Sequence, residues 1–223
     1  KRDFSLQHMN PLCLFQMPSW CAFFLLWCIM SCVESAPSSP FVQKNKYKNS
    51  FRLTRSTRTR VQNLLKKYKE QQMGNVHFED RSHRLRDLPL LSTDFSNWLQ
   101  LSDWDRLDGA FRDIQSYWSM LERKRKQLEK ELNTQRTAAS LLQSIKHIQL
   151  DLRDLMSQVS SQMRVVRSSW VRPTPAATLQ NRLRSSRTVW ESTVEGYIIL
   201  RDLNLYLTKL ARDFLLLASK THL

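Results

Sequence analysis

The chain has 223 residues, a formal net charge of +15 and only three glycines. This length fits one ordinary domain with a sizeable core. The scarcity of glycine and the lack of clean polar–apolar alternation exclude a sheet protein built on many tight turns. The large positive charge favours an anionic partner, such as a nucleic acid, a heparan-type glycan or an acidic protein surface.

All four cysteines lie in the first 32 residues, in or beside an apolar run at 21–30. That run is shorter than the roughly 20 residues of a membrane span and has the length of a signal-peptide core. We expect residues 1–36 to be a signal peptide whose initiator is Met9 or Met17, with an upstream extension before it. Residues 37–223 would then form a secreted, extracellular domain without cysteine. A membrane anchor and a buried N-terminal helix are the alternatives.

A 3.6-residue period of apolar side chains predicts four long helices. They span 46–73, 103–132, 136–167 and 186–218. Gly74 is expected to end the first helix, and Ser102 is expected to cap the second. In the third helix, the expected buried stripe runs from Leu141 to Val166.

The fourth predicted helix is apolar on two faces. One stripe runs from Leu200 to Leu217 and forms the expected core seam, whereas the second contains Ile198, Leu205 and Leu216. A helix with two apolar faces is buried on two sides. The bundle can cover one side, so the other side requires a partner or a covering loop.

The lengths of the connections indicate the topology. Long connections at 74–102 and 168–185 flank a very short one at 133–135. Long crossovers let neighbouring helices run parallel, so this pattern is typical of an all-α, up-up-down-down long-chain four-helix cytokine bundle.

The sequence carries no recognisable catalytic or metal-binding pattern. None of the five histidines has the spacing of a zinc site, and no glycine-rich phosphate loop is present. We therefore expect no enzyme activity, no cofactor and no metal. The basic cluster at 123–130 is typical of a solvated helix face, and a glycan site there is a weaker hypothesis.

Three side chains have the character of interface hot spots, in which tryptophan and arginine predominate. Trp98 lies in the long first connection, Arg212 on the second stripe of the last helix, and Trp190 near the start of that helix. Each has an intramolecular alternative. Trp98 could staple the loop to the bundle, Arg212 could pair with Asp213 or another surface acid, and Trp190 could cap the end of the bundle.

Three stretches resemble a known family. They read LPLLSTDFSNWLQLSDWDRL at 88–107, IQLDLRDL at 148–155, and a segment at 190–220 that ends RDFLLLASK. They are similar to the loop into the second helix, the third helix and the last helix of the interleukin-27 alpha-subunit family. That family belongs to the interleukin-6 and interleukin-12 group of long-chain helical cytokines. The basic connection SSWVRPTPAATLQNRLRSSR at 168–187 departs from the acidic run of the family's mammalian pattern.

The resemblance implies a secreted subunit that pairs with the soluble, receptor-like Epstein–Barr-virus-induced beta subunit. The pair would engage the interleukin-27 receptor alpha chain and the shared glycoprotein 130 transducer, which are class I cytokine receptors, and regulate immune cells. The expected beta-subunit surface comprises Trp98, Phe95, Leu205, Arg212 and Leu216. Trp190 would meet the transducer, and Arg55 and Asp154 are exposed candidates for the receptor alpha chain.

Two other functions remain open. One is a self-sufficient interleukin-6 or interleukin-11-type cytokine, whose first loop covers one apolar face of the last helix. The other is a basic helical module that binds glycan or nucleic acid. Secretion argues against nucleic acid as the partner.

Overall fold

The structure is a computed structural model that describes residues 39–91, 94–132, 138–167, 169–171 and 188–220. The predicted signal peptide at 1–36 lies outside the described residues. Within these ranges the chain forms five helices and no strand. The helices are α1 (Pro40–Gln72), α2 (Phe95–Gln100), α3 (Asp103–Leu132), α4 (Ala138–Val166) and α5 (Val189–Lys220).

The four long predicted helices are confirmed, with shifts at their ends. The largest shift is in α1, which begins six residues before the predicted start at 46. Ser39 caps this helix, and Pro40 occupies its first turn, where a missing N–H costs nothing. Gly74 follows the helix with a φ of 66°, a left-handed conformation that glycine adopts without steric cost. Ser102 caps α3, since its Oγ accepts a hydrogen bond from the Asp105 amide at 3.1 Å.

Each long helix packs against two others. Helix α1 packs along α5 and α4, and α3 packs along α4 and α5. Among the described residues, α1 does not contact α3, and α4 does not contact α5. The two pairs that do not touch therefore lie on the diagonals of the bundle.

Hydrogen-bonded pairs give the relative directions of the helices. Ser50 of α1 bonds to Gln158 of α4, whereas Arg60, further along α1, bonds to Asp151, earlier in α4. Helices α1 and α4 are therefore antiparallel. Helix α5 is also antiparallel to α1, as the pairs Arg58–Asn204 and Tyr68–Thr193 demonstrate. It is antiparallel to α3 as well, as the pairs Ala110–Tyr206 and Lys124–Ser192 demonstrate.

The core contains most of the predicted apolar stripes. The seam of α5 from Leu200 to Leu217 is buried, and so is the stripe of α4 from Leu141 to Met163. Val166 was expected to belong to that stripe, but it is 43% exposed because α4 ends at this residue.

The second apolar stripe predicted for α5 does not exist as one continuous face. Ile198 is only 3% exposed and belongs to the core, whereas Leu205 is 51% exposed and Leu216 is half-buried. The prediction is therefore wrong for Ile198. The exposed part of this predicted stripe therefore lies in the C-terminal half of the helix.

The N-terminal half of α1 buries polar side chains, which apolar periodicity could not predict. Ser50 and Thr54 are fully buried, and the Thr54 hydroxyl donates to the Ser50 carbonyl at 2.7 Å. The Ser50 hydroxyl donates to Gln158 at 2.7 Å and accepts from Gln162 at 2.8 Å. These bonds satisfy groups whose burial would otherwise cost free energy.

Within the described ranges, every helix is too short or too polar to cross a bilayer.

Candidate partner-binding site

The short helix α2 is fastened to the bundle by a buried ionic cluster, the Asp213 cluster, formed by Trp98, Arg106, Lys209 and Asp213. Asp213 Oδ1 accepts hydrogen bonds from Arg106 Nη1 and Trp98 Nε1, both at 2.6 Å. Its Oδ2 accepts from Lys209 Nζ at 3.2 Å. Arg106 also donates to the Trp98 carbonyl at 2.6 Å, and its guanidinium lies 4.9 Å from the Trp98 ring centroid.

The placement of the two helix ends explains why this cluster forms. The side chains of Arg106 and Asp213 are 1% and 2% exposed, so each charge requires a partner. Arg106 lies near the start of α3 and Asp213 lies about two turns before the end of α5, and a hydrogen bond joins them. Because these helices are antiparallel, the two ends meet and the charges compensate each other.

Helix α2 presents an apolar ridge, formed by Phe95, Trp98 and Leu99. Asp94 caps the helix by accepting from the Asn97 amide at 3.2 Å. The Phe95 and Trp98 ring centroids are 5.5 Å apart, and Phe95 and Leu99 are 66% and 50% exposed. Trp98 itself is half-buried and bonded to Asp213, as the loop-staple alternative predicted. The exposed part of the ridge is therefore Phe95 and Leu99, of which only Phe95 was assigned to the beta-subunit surface.

Three of the predicted beta-subunit residues form a stripe on α5, composed of Leu205, Arg212 and Leu216. Their spacings of seven and four residues place them on one helix face. Arg212 is exposed, and no described residue forms an ion pair with it. The alternative pairing of Arg212 with Asp213 is wrong, because Asp213 is buried against Arg106.

The ridge and the stripe meet at the same end of the bundle, since Trp98 bonds to the residue that follows Arg212. Leu205 lies further away, about 10 Å along the helix axis from Arg212. The structure thus brings Phe95, Trp98, Arg212 and Leu216 into one region and leaves Leu205 at its margin.

Trp190 lies near the opposite end of α5, about 35 Å along the axis from Asp213. Its ring meets Phe78 edge-on at 6.1 Å, and Phe78 meets Tyr197 edge-on at 5.0 Å. Trp190 remains 55% exposed, so this residue is accessible to a partner. The first connection lies against α5 beside this cluster, because Arg201 donates to the carbonyls of Asp80 and His83.

Arg55 and Asp154 are exposed on adjacent helices at similar heights in the bundle. Arg55 lies 5.7 Å from the Phe51 ring centroid, and Asp154 lies 3.6 Å from Arg153. Both are accessible, and each is near a residue of its own helix. Their assignment to the receptor alpha chain stays a prediction.

The basic cluster at 123–130 is not a uniformly solvated face. Lys124 is buried and donates to the Ser192 carbonyl at 3.0 Å, so its assignment to a solvated or glycan-binding face is wrong. Arg125 forms ion pairs with Glu122, at 2.7 Å, and with Glu129. The hydrogen bonds from Arg125 lower the pKa of Glu122 to about 2. Much of the positive charge of this cluster is therefore neutralised.

Asp113 lies on α3 close to the Asp213 cluster and carries an unusual carboxyl group. Burial raises the pKa of Asp113 to about 6, and the charge of Asp213 adds to the rise, whereas Lys209 and Arg112 oppose it. In the unfolded chain the same carboxyl titrates near 3.9. Between these values the folded protein binds a proton that the unfolded chain does not, so stability falls as the pH rises through this window.

We expect Asp113→Asn to raise the free energy of unfolding at pH 7.5 and to have no such effect near pH 4. The amide removes a charge that burial disfavours, and at pH 4 the native carboxyl is already neutral. Urea unfolding at both pH values measures the difference. Asp87→Asn, at an exposed position, is the control and should change little. An equal gain in stability for Asp113→Asn at both pH values would show that the pKa of the Asp113 carboxyl is not raised in the folded protein.

Among the described residues, no cluster of histidine, cysteine, aspartate and glutamate side chains could hold a metal ion. No protein-family model matches the chain, and no curated protein matches it significantly.

Proposed function

We propose that the chain is a secreted cytokine subunit that pairs with a soluble receptor-like beta subunit and signals through class I cytokine receptors to regulate immune cells. The observation that carries this proposal is the region where the α2 ridge meets the α5 stripe. Exposed apolar side chains and the exposed Arg212 lie at the same end of the bundle there, and a buried ion pair holds the ridge in place.

We further propose the up-up-down-down topology for this bundle. Its support is that α1 and α3 both run antiparallel to α5, and that α1 also runs antiparallel to α4. Parallel first and second long helices require a long crossover, and 30 residues (73–102) separate α1 from α3.

The proposed pairing surface has the properties of an interface hot spot. Phe95 and Leu99 can exclude water around Arg212, whose guanidinium can bind a carboxylate of the partner in two parallel hydrogen bonds. The Asp213 cluster fixes the ridge before binding, which lowers the entropic cost of association. The Epstein–Barr-virus-induced beta subunit is the proposed partner.

Two further partners complete the proposal. Glycoprotein 130 would meet Trp190, and the interleukin-27 receptor alpha chain would meet the surface of Arg55 and Asp154. Trp190 is about 35 Å from the α5 end that carries Arg212, so the beta subunit and the transducer could bind together. The chain would act by binding alone, without enzyme activity.

Co-expression with the beta subunit tests the proposal. Arg212→Glu is expected to weaken pairing by about 2–3 kcal/mol, or roughly 30- to 150-fold, because it places like charges in a desolvated contact. Co-purification and surface plasmon resonance measure the loss. Trp190→Ala should pair normally and lose signalling.

The matched control is Arg164→Glu, which makes the same charge reversal at an exposed arginine of α4. It should leave pairing unchanged. If Arg212→Glu and Arg164→Glu pair equally well with the beta subunit, the proposed surface is wrong.

A self-sufficient interleukin-6 or interleukin-11-type cytokine is the second candidate. The observation that favours it is the first connection, which packs on α5 through Phe78 and Trp98 and so covers part of the helix from within. The mature chain would then be secreted, monomeric and active alone. Secretion that requires the beta subunit would argue against this candidate.

A further inference from the structure

Helix α1 carries most of the net positive charge of the protein. Ten basic residues and one acid, Glu70, give it a formal charge of +9, out of +15 for the whole chain. The basic residues are Lys44, Lys46, Lys48, Arg52, Arg55, Arg58, Arg60, Lys66, Lys67 and Lys69. Like charges three or four residues apart destabilise a helix, so this charge works against folding.

This charge is largely uncompensated by other described parts of the protein. Among the described residues, Arg60 is the only one of the ten that forms an ion pair, with Asp151 at 2.6 Å. Arg58 bonds to a neutral amide, that of Asn204, at 3.3 Å. Glu70 lies at the end of α1, and Asp154, on the adjacent α4, lies beside Arg153. In α3, by contrast, Arg125 forms ion pairs with both Glu122 and Glu129.

The exposed basic residues form a line along the helix. Lys48, Arg52, Arg55 and Lys66 are all exposed, and spacings of four, three and eleven residues keep them on one face. The line is about 27 Å long. Its charges are therefore placed to follow an extended, regularly charged polymer.

A cleft between α1 and α4 adjoins this line. Its lining residues are Arg60, Asn63, Leu64, Lys67, Ser144 and His147. Arg60 is already paired with Asp151, so Lys67 is the cation that can meet an anion there, beside neutral hydrogen-bond donors. Arginine and lysine beside amide and hydroxyl groups are the side chains that bind sulfate or phosphate oxygens. The cleft therefore offers a position for one anionic group of the polymer.

We propose that the exposed face of α1, together with this cleft, binds a sulfated glycan chain of the heparan type. The choice of a glycan as the physiological polyanion rests on the proposed secretion of the protein. Single-stranded nucleic acid is less suitable, because its binding uses exposed aromatic side chains for base stacking. In α1, Tyr47 and Tyr68 are buried and Phe51 is half-buried, so Phe41, near the start of the helix, is its single exposed ring. One ring cannot stack successive bases along a line of about 27 Å.

Binding of the full mature chain to immobilised heparin tests the proposal. The double variant Lys48→Gln/Arg52→Gln should lose roughly tenfold in affinity at 0.15 M NaCl and depend less steeply on salt, because two ionic contacts are removed. The matched control is Arg84→Gln/Arg86→Gln, which removes two exposed charges from the first connection. It should change the affinity less than about twofold. Fully desulfated heparin should not bind.

Three results would overturn the proposal. Equal losses in the two double variants would mean that only net charge matters. An α1 variant that binds heparin normally and fails to bind the receptor alpha chain would make the face a protein contact. Tighter binding of a single-stranded RNA oligonucleotide than of heparin would make the polyanion a nucleic acid. None of these measurements involves the beta subunit. Their outcome is therefore independent of whether the proposed pairing surface at Arg212 is correct.

Discussion

Replacement of Asp213 by alanine is expected to cost about 3–5 kcal/mol of folding free energy. The substitution leaves the buried guanidinium of Arg106 without its carboxylate, and it also removes the acceptor of the Trp98 indole N–H. A buried charge without a partner is far more costly than a lost surface ion pair. Urea unfolding of the chain, followed by circular dichroism, measures the effect.

The control is the double variant Arg106→Met/Asp213→Leu, which removes both charges and keeps apolar volume. Its loss should be much smaller than that of Asp213→Ala, and a double-mutant cycle gives the coupling between the two side chains. Equal losses in the single and double variants would show that the pair contributes through packing alone.

The same substitution should affect the partner surface from within the molecule. Without Asp213, the Trp98 indole N–H loses its acceptor on α5, and the ring keeps its contacts with Arg106 and Phe95, so the α2 ridge is less firmly held to the bundle. Pairing with the beta subunit should weaken although Asp213 is buried and cannot contact a partner directly. Faster amide hydrogen exchange at 95–100 in Asp213→Ala is the expected sign of this loss of order.

Alanine is expected to destabilise the protein at position 196 and to stabilise it at position 109. A Cβ atom on Gly196 would lie 2.7 Å from both Tyr68 Cζ and Lys124 Cε, and closer still to the Tyr68 hydroxyl. These side chains cannot move freely, since Tyr68 donates to the Thr193 carbonyl at 3.1 Å and Lys124 donates to Ser192. A Cβ on Gly109 meets nothing within 4 Å.

The relative sizes of helix propensity and overpacking decide whether alanine stabilises or destabilises the protein at each position. Alanine is favoured over glycine inside a helix by about 1 kcal/mol. Overpacking of a filled site costs about 1–3 kcal/mol, and displacement of Tyr68 would break a buried hydrogen bond worth about 1 kcal/mol more. Gly196→Ala should therefore lose about 1–3 kcal/mol, whereas Gly109→Ala should gain about 0.5–1 kcal/mol. Thermal unfolding of the two variants checks both signs, and a gain at both positions would refute the close packing around Gly196.

Much of the helical architecture could be predicted because it depends on local signals. The bounds of α3 match the prediction at both ends, since Ser102 supplies a cap and acidic residues fill the first turn. The core seam of α5 was predicted from leucine spacing alone. The start of α1 was predicted too late, although Ser39 and Pro40 carry the usual signal, because three of the buried residues in its first half are polar and form no apolar stripe.

The candidate site was predictable only in part. Trp98 and Arg212 were singled out by residue type, but the charges that hold the ridge in place were not. Arg106 and Asp213 are 107 positions apart in the chain, and no local pattern joins them.

The sequence by itself determined where the long helices lie, which apolar stripe of α5 enters the core, and that the protein is strongly basic. Only the tertiary structure decided which charges are neutralised. It buried Lys124 and Asp213, paired Arg125, and left the line on α1 open to solvent. The physical reason is that helix formation and amphipathicity depend on neighbours three and four residues away. The compensation of a charge depends on which distant helix packs beside it, and that is fixed only when the bundle is assembled.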